Sequence, residues 1–482
     1  MTTQSPPQAT SVGSTGTARF ALLLVALIWP AQLLTAAGVA TGMTSAAIAQ
    51  HFQTTQIAWF GLAYTIVATV LTPVVARLGD RYGKKRVMLA ITAIGLVGDL
   101  LVVLSPAYPG VLVGRALAGC YGPIAALAFA AARDIFPPKR VGLASSLIGS
   151  SLGLTVALVP LLSGYLLDWF GFRGPLWFVV AGIVVAFALL TTLPDMPGHP
   201  TGQRFDVLGS VLLGAATVSL VYGLGQGTAW GWDSPRILGL FAVTVLATVA
   251  FVIVERRTAD PVVDLRMLTR RNVATVLGGT GLMQGTLYSV ATVLTLLALF
   301  PAIPGVSAGL GWSGTKIALV TLAGQSLLFA TGFLVGKMSA RWDPRKPWWA
   351  GAAITIAGLL SYAFLHHTIA QIAFSAIVLG LGSGLAIGAV PLLILGSVSP
   401  EEQGMANGMN ILINGLINAI TAQLIFVVMA RSGVVLKGTQ FYSDASFRDA
   451  YLLSAGLAAV ALLITLAIPR VLKTSEIHSG GQ

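Results

Sequence analysis

Long apolar runs separated by short polar connections dominate the chain. They fall at 20–48, 57–76, 87–105, 110–132, 141–166, 175–193, 206–226, 237–254, 273–300, 315–336, 348–366, 370–396, 404–430 and 450–469, fourteen in all. A helix rising 1.5 Å per residue needs roughly 20 mostly apolar residues to cross a ~30 Å hydrocarbon core, and the runs have that length. They do not alternate apolar and polar positions, which argues against an outer-membrane barrel. The pattern predicts an all-α polytopic membrane protein with 14 transmembrane helices. Residues 1–18 are rich in Ser, Thr, Pro and Gln and carry no charge. No basic segment precedes the first run, which is also too long for a signal peptide. It reads as an uncleaved first span behind a disordered tail.

Composition agrees. Apolar residues make up 56% of the 482 and charged residues 9%, against roughly 25% charged in soluble proteins. A soluble enzyme, a disordered chain and a fibrous one are excluded. The lone Cys120 has no intrachain disulfide partner and no metal-site spacing. The histidines His51, His366 and His367 fall in connections and match no metal motif, so no metal and no cofactor are expected.

Charge sets an expected orientation. Of the 28 Lys and Arg, 21 fall in connections on the side that carries both termini and six on the other, with Arg115 inside a run. The positive-inside rule then places both termini in the cytoplasm. The net charge of +12 reads as topology and attraction to anionic lipid headgroups, not as a nucleic-acid footprint.

The runs divide as six, two and six. The expected organisation is a tail at 1–18, a six-helix bundle at 19–194, two inserted helices with cytoplasmic linkers at 195–272, a second six-helix bundle at 273–470 and a tail at 471–482. A basic connection, Arg77-Leu78-Gly79-Asp80-Arg81-Tyr82-Gly83-Lys84-Lys85-Arg86, follows the second run, and a similar one from Gly336 to Lys346 follows the second run of the last six. Parallel repeats of this kind are a transporter architecture, with the cargo site between the halves near the midplane.

The loop Leu78–Arg86 resembles the signature between helices 2 and 3 of the major facilitator superfamily. Gly114-Arg115-Ala116-Leu117-Ala118-Gly119 is similar to the family's helix 4 arginine motif, and Val159-Pro160-Leu161-Leu162-Ser163-Gly164 to the helix 5 antiporter signature. Val254–Arg266 resembles the stretch after the extra helix pair of fourteen-helix drug:proton antiporters. Together these cover residues 20–470. The resemblance implies a multi-pass plasma-membrane exporter of apolar or amphiphilic small molecules, working by alternating access in exchange for protons. Many members carry an aspartate in helix 1, whereas Ala36-Ala37-Gly38-Val39-Ala40-Thr41 holds no acid here. Neutral, zwitterionic or weakly anionic cargo fits that departure better than quaternary ammonium compounds.

Chemistry-bearing residues within the runs are few. Asp99 is the only acid away from the ends of a run, just past the middle of the core; a charge there is costly, so a change of protonation state is a natural switch. It reads either as a proton-coupling acid or as a packed structural one, with the interfacial Asp134 and Asp168 as other coupling acids. Arg115 stays charged at physiological pH and needs a polar partner; the resemblance implies proton coupling or cargo binding, and the alternative is a structural tether to helix carbonyls. Asp80, Arg81, Gly83 and Lys84 form the basic turn. The bases suit an anchor, but acids contribute little to topology, and the resemblance implies that Asp80 latches the two halves. Pro160 and Gly164 are backbone features of helix 5. Gly380, Gly384 and Gly388 read as small-residue packing.

Asn407, Asn410, Asn414 and Asn418 recur at spacings that share one helix face. They line a cavity or bond helices together, with Asn414 and Asn418 the deeper pair. Gln284 and Tyr288, with Gln325 and Gln32, fit the few placed polar groups of a drug-sized apolar pocket and equally well hydrogen bonds between helices, and Tyr64 is a further candidate. A facilitator or symporter of a neutral molecule or lipid is the nearest rival reading. A receptor lacks an output domain, and an enzyme lacks a clustered acid–histidine set.

Overall fold

The structure is a computed structural model that describes residues 17–198, 206–258, 261–338, 343–399 and 402–468. Most of the expected tail at 1–18 and all of that at 471–482 lie outside the described residues, as do 199–205 and 259–260 of the linkers and 339–342 of the second basic connection.

The first half comprises α1 (Thr17–His51), α2 (Ala58–Tyr82), α3 (Lys84–Leu104), α4 (Tyr108–Ala118), α5 (Ile124–Ile135), α6 (Pro138–Phe170) and α7 (Arg173–Thr191). Two long helices follow, α8 (Val207–Trp230) and α9 (Pro235–Arg257), then the short α10 (Leu265–Thr269). The second half comprises α11 (Arg271–Leu299), α12 (Gly314–Met338), α13 (Arg345–Phe364), α14 (Ile369–Leu395), α15 (Gln403–Arg431) and α16 (Asp444–Leu466). Thirteen helical spans among the described residues are long and apolar enough to cross a membrane, α4 and α5 counting as one. The fourteenth is α13, whose 20 residues are diluted by Arg345, Lys346 and two tryptophans and which packs between α14 and α16.

The run 110–132 was expected as one helix and is broken. A tight turn at Gly119–Tyr121 separates α4 from α5. Pro123, without an N–H, starts the new helix. A Cβ on Gly119 would sit 2.7 Å from the Tyr64 carbonyl oxygen, so the break lies where the chain presses on α2.

Two small antiparallel hairpins lie in the second half, β1 (Ala302–Ile303) with β2 (Ser307–Ala308), and β3 (Gly433–Leu436) with β4 (Thr439–Tyr442). The second turns on Lys437 and Gly438, at φ 48° and 77°. Two successive positive φ values are the two-residue hairpin geometry that glycine accommodates.

The halves meet where α6 packs on α12, α2 on α15 and α1 on α11, and α8 lies in the groove against α2 and α15 with α9 outside it. Packing within each half repeats. A Cβ on Gly98 of α3 would sit 2.5 Å from the Ala118 amide nitrogen, and one on Gly351 of α13 would sit 2.5 Å from that of Ala386. Backbones touch at equivalent crossings, as parallel repeats require. The Gly380–Gly384–Gly388 stripe serves the packing expected of it: a Cβ on Gly388 would lie 2.8 Å from Gly332 on α12.

Candidate functional site

The close α3–α4 crossing brings the two intramembrane charges together. Arg115 and Asp99 are 1% and 2% exposed, with guanidinium Nη1 3.9 Å from Asp99 Oδ1. That is an ion pair without a hydrogen bond, and Nη1 has no other hydrogen-bond partner. Tyr121, placed by the break, donates to Asp99 Oδ2 at 3.0 Å. Arg115 Nε donates to the Phe60 carbonyl at 3.0 Å. Its guanidinium lies 4.2 Å from the Tyr64 ring centre and 4.9 Å from that of Phe60. Tyr64 donates to the Leu34 carbonyl of α1 at 3.1 Å. One buried network thus joins four helices of the first half, and three residues singled out separately from the sequence (Tyr64, Asp99 and Arg115) are members of it. Tyr121 and Phe60 were not singled out. A phenol within an apolar run needs a partner when buried, and that signal would have found Tyr121.

At the end bearing the basic connections, Gly83 closes α2 with φ 93° and its N–H donates to the Gly79 carbonyl at 3.1 Å. Lys84 bonds Asp134 at 2.6 Å and lies 3.8 Å from Asp80. Asp80 is therefore solvated, and among the described residues its ion pair lies within its own half. Arg81 stacks on Tyr82, 5.5 Å from its ring centre.

The opposite end is held shut. A Cβ on Gly164 would sit 2.5 Å from the Gly314 carbonyl, so α6 and α12 touch there. One turn on, the Asp168 carboxylate accepts from the Gly314 N–H at 2.6 Å and the Thr315 N–H at 2.9 Å. A carboxylate at the first turn of α12 also meets the positive end of its dipole. Thr439 of the β3–β4 hairpin donates to the Ala49 carbonyl of α1 at 3.3 Å. Pro160 stands inside α6, one turn before Gly164.

The asparagine face resolves into an interhelical ladder. Thr280 donates to Asn410 at 3.3 Å, Asn414 donates to Gln284, and Ser289 donates to the Asn418 side chain at 3.0 Å. Gly281 and Gly285 let α11 approach α15 this closely, since a Cβ on Gly285 would lie 2.8 Å from the Asn418 nitrogen. Asn414 Oδ1 keeps no partner, while Asn407 is exposed. Tyr288 is 58% exposed although α11 is enclosed by α1, α14, α15 and α16. Gln325 on α12 is half-buried. Gln32 donates to the Ile148 carbonyl at 3.0 Å and Ser151 at 2.9 Å, tying α1 to α6. Asn414, Tyr288 and Gln325 thus keep open faces or unpaired atoms, Asn407 lies exposed, and Gln32, Tyr64, Gln284, Asn410 and Asn418 are engaged in seams.

The profile of the Major Facilitator Superfamily matches residues 28–422 and, in a second overlapping match, 286–480. The chain belongs to the Major Facilitator Superfamily.

Its relatives within the superfamily include proteins named for export, transport and drug resistance. It is 28% identical over 406 residues to the tetracenomycin C resistance and export protein of Streptomyces glaucescens, covering 79% of this chain and 72% of that one. It is 29% identical over 404 residues to the probable actinorhodin transporter of Streptomyces coelicolor, covering 80% and 66%. Identity to multidrug resistance protein 3 of Bacillus subtilis is 25% over 361 residues, covering 74% and 69%. Among solved structures, that of the POT family transporter PepTSo superposes with a TM-score of 0.65 at 13% identity, covering 97% of this chain and all of that one, which speaks to the fold. The protein is therefore a drug-efflux-like member of the superfamily, a multi-pass membrane transporter and not an enzyme.

Proposed function

We propose that the protein exports apolar or amphiphilic small molecules across the plasma membrane in exchange for protons, with both termini in the cytoplasm. The observation that carries export is the likeness to relatives named for export and multidrug resistance, and the asymmetry of the two ends supports alternating access. Asp168 and the β3–β4 hairpin bind the halves together at one end, while the described ion pair of Asp80 at the other lies within its own half. Lys and Arg concentrate at the Asp80 end, which the positive-inside rule assigns to the cytoplasm. The conformation is then closed to the outside, the state that loads cargo from the cell.

In this reading cargo sits between the halves beside Tyr288, Gln325 and the unpaired oxygen of Asn414, and Asp99 carries the proton. Arg115 faces Asp99 as the opposite charge, and the Tyr121 hydroxyl can donate to either form of the carboxyl. A second reading has a specific observation in its favour. The Asp99–Arg115 pair is already charge-balanced, which suits a structural tether in a proton-independent facilitator.

The test is an efflux panel of apolar and amphiphilic antibiotics in a host lacking its own pumps, with and without a proton uncoupler. Export predicts lower accumulation on expression and its reversal by uncoupler. Uncoupler-insensitive equilibration identifies the facilitator, and unchanged accumulation across the panel overturns drug export.

A further inference from the structure

At the closed end, two histidines and a carboxylate from distant parts of the chain converge. His366 and His367 lie in the turn between α13 and α14, and Asp444 opens α16 directly after the β3–β4 hairpin. The His366 and His367 Nε2 atoms lie 2.9 and 2.7 Å from the same Asp444 oxygen. The three ligand atoms are all within 4.8 Å of one another.

The tautomer of His366 decides what this arrangement needs. Its Nδ1 lies 2.8 Å from the Tyr362 carbonyl oxygen, which can only accept, so Nδ1 carries the hydrogen. In neutral imidazole Nε2 is then a bare lone pair, and it faces a carboxylate oxygen. Two acceptors at 2.9 Å require a cation between them, a second proton or a metal ion. An Nδ1–H held by a carbonyl while Nε2 faces the site is also the usual outer-shell arrangement of a metal-binding histidine.

The surroundings are built for the purpose. His366 is 2% exposed, while the His367 and Asp444 side chains are 58% and 52% exposed, which leaves an entry path from solvent. The turn is locked by a capping box, in which Gln371 accepts from the His367 and Thr368 N–H groups at 3.0 and 3.2 Å. Ser443 caps α16 through the Ser446 N–H at 3.3 Å, which fixes the start of the helix at Asp444.

The geometry points to a binding site for a zinc-class divalent cation formed by His366 Nε2, His367 Nε2 and the Asp444 carboxylate. Two imidazoles and a carboxylate suit Zn²⁺, whose tetrahedral bonds of about 2.0–2.2 Å set ligand atoms about 3.3–3.6 Å apart, so that the Asp444 oxygen withdraws and the two imidazoles turn toward each other as the ion enters, with solvent in the fourth position. A bound ion braces the α13–α14 turn against the root of the hairpin that closes on α1.

The purified full-length protein, titrated with Co²⁺ at neutral pH, tests this. We expect one tetrahedral Co²⁺ absorption band per chain that Zn²⁺ displaces. His367→Ala and Asp444→Asn, both at exposed side chains, are expected to weaken binding by at least about tenfold. Zn²⁺ is also expected to raise the Tm of the wild type and not of the variants, whose metal-free Tm values serve as the folding control. Absence of a band in the wild type, or metal binding in both variants equal to that of the wild type, overturns the site.

Discussion

Asp99 and Arg115 show how two costly residues become tolerable. Each alone would be an uncompensated charge in the hydrocarbon, and removing one partner of such a pair typically costs about 3–5 kcal/mol. Their oxygen and nitrogen are 3.9 Å apart, so the pair is not locked by a direct hydrogen bond, and the proton can compete for the carboxylate. Asp99→Asn retains an oxygen for the Tyr121 hydroxyl and loses the titration. It is expected to abolish uncoupler-sensitive efflux while sparing downhill exchange in proteoliposomes; normal pumping against a gradient would assign Asp99 to the structure. Because Asn leaves Arg115 uncompensated, the Asp99→Asn/Arg115→Gln double variant is measured alongside as the folding control. At the other charged position, Asp80→Asn is expected to lower turnover at least severalfold with membrane insertion intact, since the neighbouring bases and not the acid set orientation. Wild-type turnover in that variant reduces the loop to an anchor.

At the scale of elements, glycine decides which helices touch. The α3–α4 crossing leaves no room for a side chain at Gly98, and forcing a methyl into such a contact costs about 1–3 kcal/mol. Gly98→Ala is expected to lower the Tm of the purified protein and to disturb the Asp99 network together with it. Gly42, with nothing within 4 Å of an added Cβ, is the control position: Gly42→Ala is expected to leave the Tm unchanged or raise it. The α6–α12 contact depends on both shape and charge. Hydrogen bonds to a charged group contribute about 1.5–3 kcal/mol each, so losing those of Asp168 shifts the opening equilibrium by at least about tenfold. Spin labels at Gln53 and Lys437, on the two sides of the hairpin closure, are expected to show one short distance in the wild type. Asp168→Ala adds a longer population, and an unchanged distribution removes Asp168 from the closure.

For the whole molecule, the number of spans turns on the inserted pair α8 and α9. A pair that crosses twice is compatible with two halves of the same orientation, as parallel repeats demand. A cysteine at Ser234, in the connection between the pair, is expected to label from outside intact cells, and a reporter fused after Lys473 to report cytoplasm. Labelling at 234 only after permeabilisation reduces the molecule to a twelve-span core with the middle segments inside or along the membrane. The same sidedness underlies the assignment of the closed end to the outside.

What could be read without a structure was what one-dimensional patterns carry. Apolar length predicts the fourteen helices, basic connections an orientation, and the small residues at Gly380, Gly384 and Gly388 a packing seam, because each depends on residues near one another in the chain. Distance in three dimensions carries no such signal. The sequence left open whether the asparagines of α15 line a cavity or bond a neighbour; the Thr280, Gln284 and Ser289 side chains of α11 answer that for Asn410, Asn414 and Asn418. His366 and His367 match no motif by spacing, since their third partner Asp444 comes 78 and 77 residues later. The closure by Asp168 joins residues 146 and 147 apart. Helices follow from local apolar length in a solvent that forbids unpaired backbone; which side chains meet follows from where glycine lets those helices cross, and only the tertiary structure decides that.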